Sequence, residues 1–249
     1  MSIHIYPSQK QIKGNFNGGE IMENKPIQMS HDHTKLQPYS NIFYWAHAWA
    51  EVTSTIGLHP HQAFEIVSFV LTGTVEHYDT KNKTWLPLQA GDVQIIRAGN
   101  GISHAEKMLE GTHMFQIWFD PNINLSLLQP ATYNDYKSSE FPIIEEPGKT
   151  IKVLKGEGAP LEMMTPGLSI QQLTLTPKLH AIALNDTHSH AFYVISGQVT
   201  TEKGLIDKDD FFIVDEGGAF TFTAEVETQL FLISALKTLD YTTYAAGNN

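Results

Sequence analysis

Gly57-Leu58-His59-Pro60-His61-Gln62-Ala63-Phe64-Glu65, answered further along by Ala98-Gly99-Asn100-Gly101-Ile102-Ser103-His104-Ala105-Glu106, is the sequence that decides the fold. In an extended strand, residues i and i+2 point to the same face, so His59 with His61, and His104 with Glu106, each aim two donor side chains at one point. Pro60 favours this backbone, because its ring pushes the residue before it out of the α region. Two such strands facing each other inside a small barrel bring three imidazoles and a carboxylate together. Glu65, four residues after His61, has the same strand parity, so spacing alone leaves Glu65 and Glu106 both open as the carboxylate.

The sequence around these pairs reads as short strands broken by turns. Asn41–Ala50 is apolar and aromatic, as a buried strand would be, and His47 within it reads as a packed, hydrogen-bonded histidine. Ala63–Leu71 ends at Thr72-Gly73, Val75–Tyr78 at Asp79–Lys83, and Trp85–Leu88 at Gln89-Ala90-Gly91-Asp92. Val93–Arg97 and Met114–Phe119 complete the set, and the spacing predicts an antiparallel sandwich or barrel. Leu125–Lys137 is the place expected for a short helix or irregular segment, with Tyr133 and Tyr136 packing on the barrel. Residues before Tyr39 are polar, and His31-Asp32-His33 reads as an exposed loop.

The second half repeats the theme after the acidic, turn-rich Glu145-Glu146-Pro147-Gly148, which reads as a linker. Phe69-Val70-Leu71-Thr72-Gly73 is echoed by Tyr193-Val194-Ile195-Ser196-Gly197, each preceded by a His-x-His pair and followed by a strand led by Asp92 or Asp210. A tandem repeat of one barrel unit follows, with domains over residues 1–137 and 138–249. Where the first copy has His104-Ala105-Glu106, the second has Phe220-Thr221-Phe222-Thr223. His188 and His190 alone are short of the three protein ligands a catalytic metal generally needs. The second copy therefore reads as structural or pocket-lining.

Composition narrows the chemistry. The chain of 249 residues is 41% hydrophobic, enough for a core, and carries a formal net charge of −11. Arg97 is the only arginine and the lysines are scattered, which disfavours direct nucleic-acid binding. The absence of cysteine removes disulfides, thiolate ligands and cysteine nucleophiles. No apolar run approaches membrane-spanning length, so a soluble cytoplasmic protein is the expectation.

The quoted motifs, with Gly91-Asp92-Val93-Gln94, Gln116-Ile117-Trp118 and Asp215-Glu216-Gly217-Gly218, resemble the signature of the pirin family of bicupins. The resemblance implies an all-β fold of two tandem cupin domains with short helices. It also implies one divalent metal ion held by His59, His61, His104 and Glu106, with Glu65 left to the barrel wall. Family members are typically described with iron, while Zn, Mn, Co, Ni or Cu also suit imidazole and carboxylate donors. Some resemble quercetin 2,3-dioxygenases, which implies a small phenolic substrate and O2, with Glu106 as the catalytic base. The alternative is a metal-containing, redox-sensitive regulatory or binding protein acting through protein partners. Gln94, Gln116 and Trp118 are expected near the site, as pocket lining or barrel filling. Arg97 is expected to stabilise the Ala98–Gly101 turn through an ion pair. His77 and His113 are expected as surface or packing histidines.

Overall fold

Runs rich in Ile, Val, Phe and Thr, separated by glycine turns, form antiparallel strands throughout the computed structural model, which describes residues 1–29 and 35–247. His31-Asp32-His33 lies outside the described residues. The chain divides into two compact units. The N-terminal barrel comprises Ile12–Ser138, Met163–Thr165 and the segment from Asp240 on; the C-terminal barrel comprises Met1–Gln11, Ser139–Glu162 and Pro166–Leu239.

The first strand, β1 (Ile3–Tyr6), belongs to the C-terminal barrel. The N-terminal barrel is built from β2 (Ile12–Phe16), β3 (Ile21–Ile27), β4 (Ile42–Ala50), β5 (Ser54–His61), β6 (Glu65–Thr72), β7 (Thr74–Asp79), β8 (Leu86–Gln89), β9 (Val93–Arg97), β10 (Ile102–Met108), β11 (His113–Phe119) and β12 (Thr132–Tyr136). Seven of these form a sheet in the order β12-β9-β6-β11-β4-β3-β2, and four form another in the order β5-β10-β7-β8. The C-terminal barrel follows the same plan. Its strands are β13 (Ile143–Glu146), β14 (Lys149–Lys155), β15 (Leu168–Leu175), β16 (Lys178–Leu184), β17 (His188–Ser196), β18 (Gln198–Thr201), β19 (Gly204–Asp207), β20 (Phe211–Val214), β21 (Gly218–Ala224) and β22 (Thr228–Leu236). Its sheets run β1-β20-β17-β22-β15-β14-β13 and β16-β21-β18-β19.

The internal repeat is visible in hydrogen bonds. Gly73 and Gly197 both have φ near the left-handed region, at 77° and 76°. Beside each stands a threonine whose hydroxyl bridges the next residue: Thr112 Oγ1 accepts from Thr74 N at 3.0 Å and donates to its carbonyl at 2.9 Å, and Thr228 Oγ1 does the same to Gln198 at 3.2 and 3.1 Å. Asp92 Oδ2 accepts from Gln89 N and Asp210 Oδ2 from Asp207 N, so the two Asp-led strands begin with the same carboxylate-capped turn.

In the N-terminal barrel the period-2 pattern sorts residues by depth. Val70, Val75, Met108 and Met114 pack at one end, and Ile66, Ile96, Ile102 and Ala131 at the other. Between them on the same strand faces are polar groups: Ser68 on β6, His77 on β7, Gln94 on β9, Glu106 on β10 and Gln116 on β11, all buried. The C-terminal barrel instead has an apolar filling of Phe192, Phe212, Phe220 and Phe222 with Val194, Leu230 and Leu232.

Three stretches differ from the sequence reading. The polar opening holds strands β1 to β3, because buried polar residues mask the hydrophobic pattern: Glu23 on β3 is buried yet pairs with Lys25 and accepts from Tyr44 Oη at 3.0 Å. In Leu125–Lys137 the helix ends early, at Ile123–Ser126, and Thr132–Tyr136 is a strand paired with β9. Glu145-Glu146-Pro147-Gly148 is the end of β13 and the turn of the β13–β14 hairpin, a role for which turn chemistry looks the same as in a linker.

Candidate metal centre

β5 is the edge strand of its sheet and pairs with β10, placing His104 opposite His59 and Ile102 opposite His61. Pro60, which has no N–H to donate, is tolerated at such an edge. The three imidazoles form a near-equilateral cluster, with ring centroids 4.4 Å apart for His59 and His104 and 4.8 Å for the other two pairs. One ligand nitrogen from each lies within 4.8 Å of the other two, a set that could hold a metal ion. His59 Nδ1 donates to the Gly57 carbonyl at 2.8 Å, which fixes the tautomer and leaves Nε2 as its free donor atom.

The remaining nitrogens have no protein partner where one would be expected. His61 Nε2 and both ring nitrogens of His104 are buried without a hydrogen bond. Leaving such groups unpaired is costly unless something else satisfies them, and a cation does so. Burial, followed by the neighbouring histidines, pushes His61 down to about 3 and His104 down to about 2, so both rings are in the neutral, ligating form. The donor set therefore fits a divalent metal.

Glu106 is not one of the three clustered groups. It is buried one residue pair deeper on β10, where Gln116 Nε2 donates to Oε1 and Oε2 at 2.9 and 2.8 Å. Gln116 Oε1 in turn accepts from Trp118 Nε1 at 3.1 Å, and Trp118 meets His61 edge-on at 4.9 Å. Gln116 and Trp118 thus connect the carboxylate to the imidazole cluster. Gln94 is turned away instead, donating to Asp135 Oδ1 at 2.7 Å.

Glu65 faces elsewhere. It is fully buried and accepts from Met164 N at 2.7 Å, Thr165 N at 2.9 Å and Thr165 Oγ1 at 2.5 Å, with Arg97 Nε 3.8 Å away. Both oxygens are committed to that loop, and Arg97 forms the ion pair expected of it while also donating to Asn134. His47 is buried and its Nε2 lies 3.1 Å from His113 Nδ1, so each packs against the other.

His77 is the residue the sequence undersold. It is 1% exposed, its ring centroid lies 5.5 Å from that of His104, and burial holds its imidazole below the usual range. The signal lay in strand parity: His77 is opposite Glu106 across β7 and β10. A cleft of about 520 Å³ lined by Pro60, His61, Gln62, Asn100, Ile102 and Ser103 opens beside the cluster.

Two antiparallel barrel units on one plan give the chain a bicupin fold, and the N-terminal one carries a His-x-His pair and a third histidine on the facing strand that could together hold a metal ion. Residues 18–119, less than half of the chain, match the family described as Pirin. The chain is 32% identical over 147 residues to pirin-like protein 2 of Arabidopsis thaliana, covering 56% of this chain and 45% of that protein. It is 45% identical over 78 residues to quercetin 2,3-dioxygenase of Escherichia coli K12, covering 30% and 33%. The chain thus spans about a third to a half of the length of these curated relatives. The fold matches the crystal structure of the bacterial pirin YhhW from Escherichia coli in complex with nickel(II), with a TM-score of 0.77 and 20% identity over 95% of this chain and 100% of that one. No helix among the described residues is long and apolar enough to cross a membrane.

Proposed function

We propose that the N-terminal barrel is a metal-dependent dioxygenase site of the quercetin 2,3-dioxygenase type, which cleaves the ring of a small phenolic compound with O2. The convergence of three imidazoles beside an open cleft, with nitrogens of His61 and His104 buried and without a hydrogen bond, carries this reading. His59, His61 and His104 would hold the metal with Glu106 as the fourth ligand, and iron(II) suits this set of hard and intermediate donors. When bound, the metal would lower the pKa of a phenolic hydroxyl and mediate electron transfer from substrate to O2.

This chain's own residues do the rest. The cleft admits a flat ring next to His61, and Trp118 walls the imidazole cluster with an aromatic edge. Glu106 accepts the proton of the substrate hydroxyl, and Gln116 holds that carboxylate in place through both oxygens. The dioxygenase name of the Escherichia coli relative supports the reaction class.

Oxygen uptake by the metal-loaded protein with quercetin is the test, run in parallel with iron(II), nickel(II) and manganese(II) and with His104→Ala as control. Uptake that requires substrate, metal and His104 supports the reading. A protein that binds one metal per chain yet consumes no oxygen with any flavonol or simpler phenol overturns the enzymatic assignment.

A further inference from the structure

The C-terminal barrel has a cavity of its own, about 360 Å³, between β15, β16, β17 and β22. It lies at the second His-x-His pair, His188 and His190. We propose that this cavity is a metal-independent binding site for an uncharged small molecule with an apolar ring and two hydrogen-bond donors, such as a diphenol.

The hydrogen bonds around the histidines decide the ligand's chemistry. His190 Nε2 lies 3.0 Å from the Asn185 carbonyl, which can only accept, so Nε2 carries the proton. Burial keeps the ring neutral, so Nδ1 is the acceptor and takes the hydrogen of Ser234 Oγ at 2.8 Å. No lone pair of His190 is left for a metal. Ser234 has spent its only hydrogen, and its oxygen presents lone pairs alone to the cavity.

A second relay ends the same way. Asn185 Oδ1 accepts from Thr187 N at 2.9 Å and from Thr187 Oγ1 at 2.8 Å. With its hydrogen so used, Thr187 Oγ1 accepts from His188 Nδ1 at 2.9 Å. With the proton of an imidazole on Nδ1, His188 Nε2 is the ring's acceptor nitrogen. Strand register adds Ser169, Ser234 and His190 as one polar row across β15, β22 and β17.

Leu168, Ile182, Leu184 and Leu232 give the cavity its apolar walls, Gln171 adds an uncharged amide, and no Asp, Glu, Lys or Arg lines it. Lys237 and Asp215 act on His190 from outside the lining, so a charged ligand would meet no charged side chain in direct contact, whereas an apolar ring would be covered. The volume falls within the range of small-molecule sites. His188 Nε2 and Ser234 Oγ are acceptors set among these walls, and they select a ligand that brings donors.

The test uses resorcinol against 1,3-dimethoxybenzene, which has the same substitution pattern and no donor. Titration of the full-length protein is followed by the imidazole nitrogen resonances, which separate His188 from the histidines of the other barrel. Resorcinol is expected to move the His188 Nε2 resonance saturably, and the dimethoxy compound to bind roughly tenfold more weakly or less well still. Leu232→Trp, which fills the cavity, abolishes the response, and Ser234→Ala, which deletes one oxygen, weakens it about fivefold. If Leu232→Trp does not fold, Ser234→Ala still decides. The proposal is overturned by an unmoved His188 resonance, by equal binding of the two compounds, or by resorcinol binding that ignores Ser234→Ala.

Discussion

Replacing Glu65 by glutamine separates the two carboxylates that compete for the metal by spacing. Glu65 is fully buried, and its two oxygens accept three hydrogen bonds from Met164 and Thr165. Glutamine keeps one oxygen and turns an NH2 toward at least one backbone N–H, so donor faces donor. Losing one charge-assisted bond costs about 1.5–3 kcal/mol, and leaving a buried donor unpaired costs about 1–3 kcal/mol more. The sum is about 2.5–6 kcal/mol, which lowers the melting temperature by roughly 5–24 °C for a chain of this size. Glu106→Gln also sets an NH2 against the Gln116 amide and so costs some stability, but it is distinguished by metal content falling well below one per chain, which Glu65→Gln should leave near one. Differential scanning calorimetry on metal-free protein and elemental analysis after metal loading measure the two effects separately. Glu65→Gln protein that melts with the parent and loses its metal, while Glu106→Gln retains it, would refute the assignment of both carboxylates.

Three further outcomes follow from the same geometry. Gln116→Leu removes the amide that grips both oxygens of Glu106, and chelator competition should show metal affinity about 10–100-fold lower with the fold intact. Gly197→Ala would put a Cβ 2.6 Å from the Glu227 carbonyl and 2.8 Å from Thr228 Cα at a φ of +76°. It should destabilise by about 1–3 kcal/mol or more in thermal melts. Gly204→Ala, also at positive φ but with open space around it, should cost less, since it meets strain without collision. Burial raises the Asp135 carboxyl above its usual range, against the Gln94 hydrogen bond that lowers it. Its folded value therefore exceeds its unfolded one, and ionisation opposes folding increasingly as pH rises between the two and fully above the folded value. Asp135→Asn keeps the acceptor for Gln94 and should melt higher than the parent at neutral pH, the gap closing as pH falls below the carboxylate range. A constant gap across pH would remove this explanation.

How far the sequence could be read depended on whether a residue's role was carried by its own strand. The convergence of His59, His61 and His104 followed from parity and a proline, because the direction of a strand's side chains alternates whatever surrounds it. The repeat was legible for the same local reason: Gly73 and Gly197, Asp92 and Asp210 mark turns that need those residues in any context. The choice between Glu65 and Glu106 was different, since both have suitable parity. What separates them is partners that arrive from far along the chain, the loop at Met164 and Thr165 for one and Gln116 for the other. The placement of β1 in the C-terminal barrel and of His77 beside His104 likewise depended on long-range pairing. Side-chain direction is a property of the local backbone, and the sequence by itself determined that much. Which face of a strand meets water, a metal or a distant loop is set by non-local registers, and only the tertiary structure decided it.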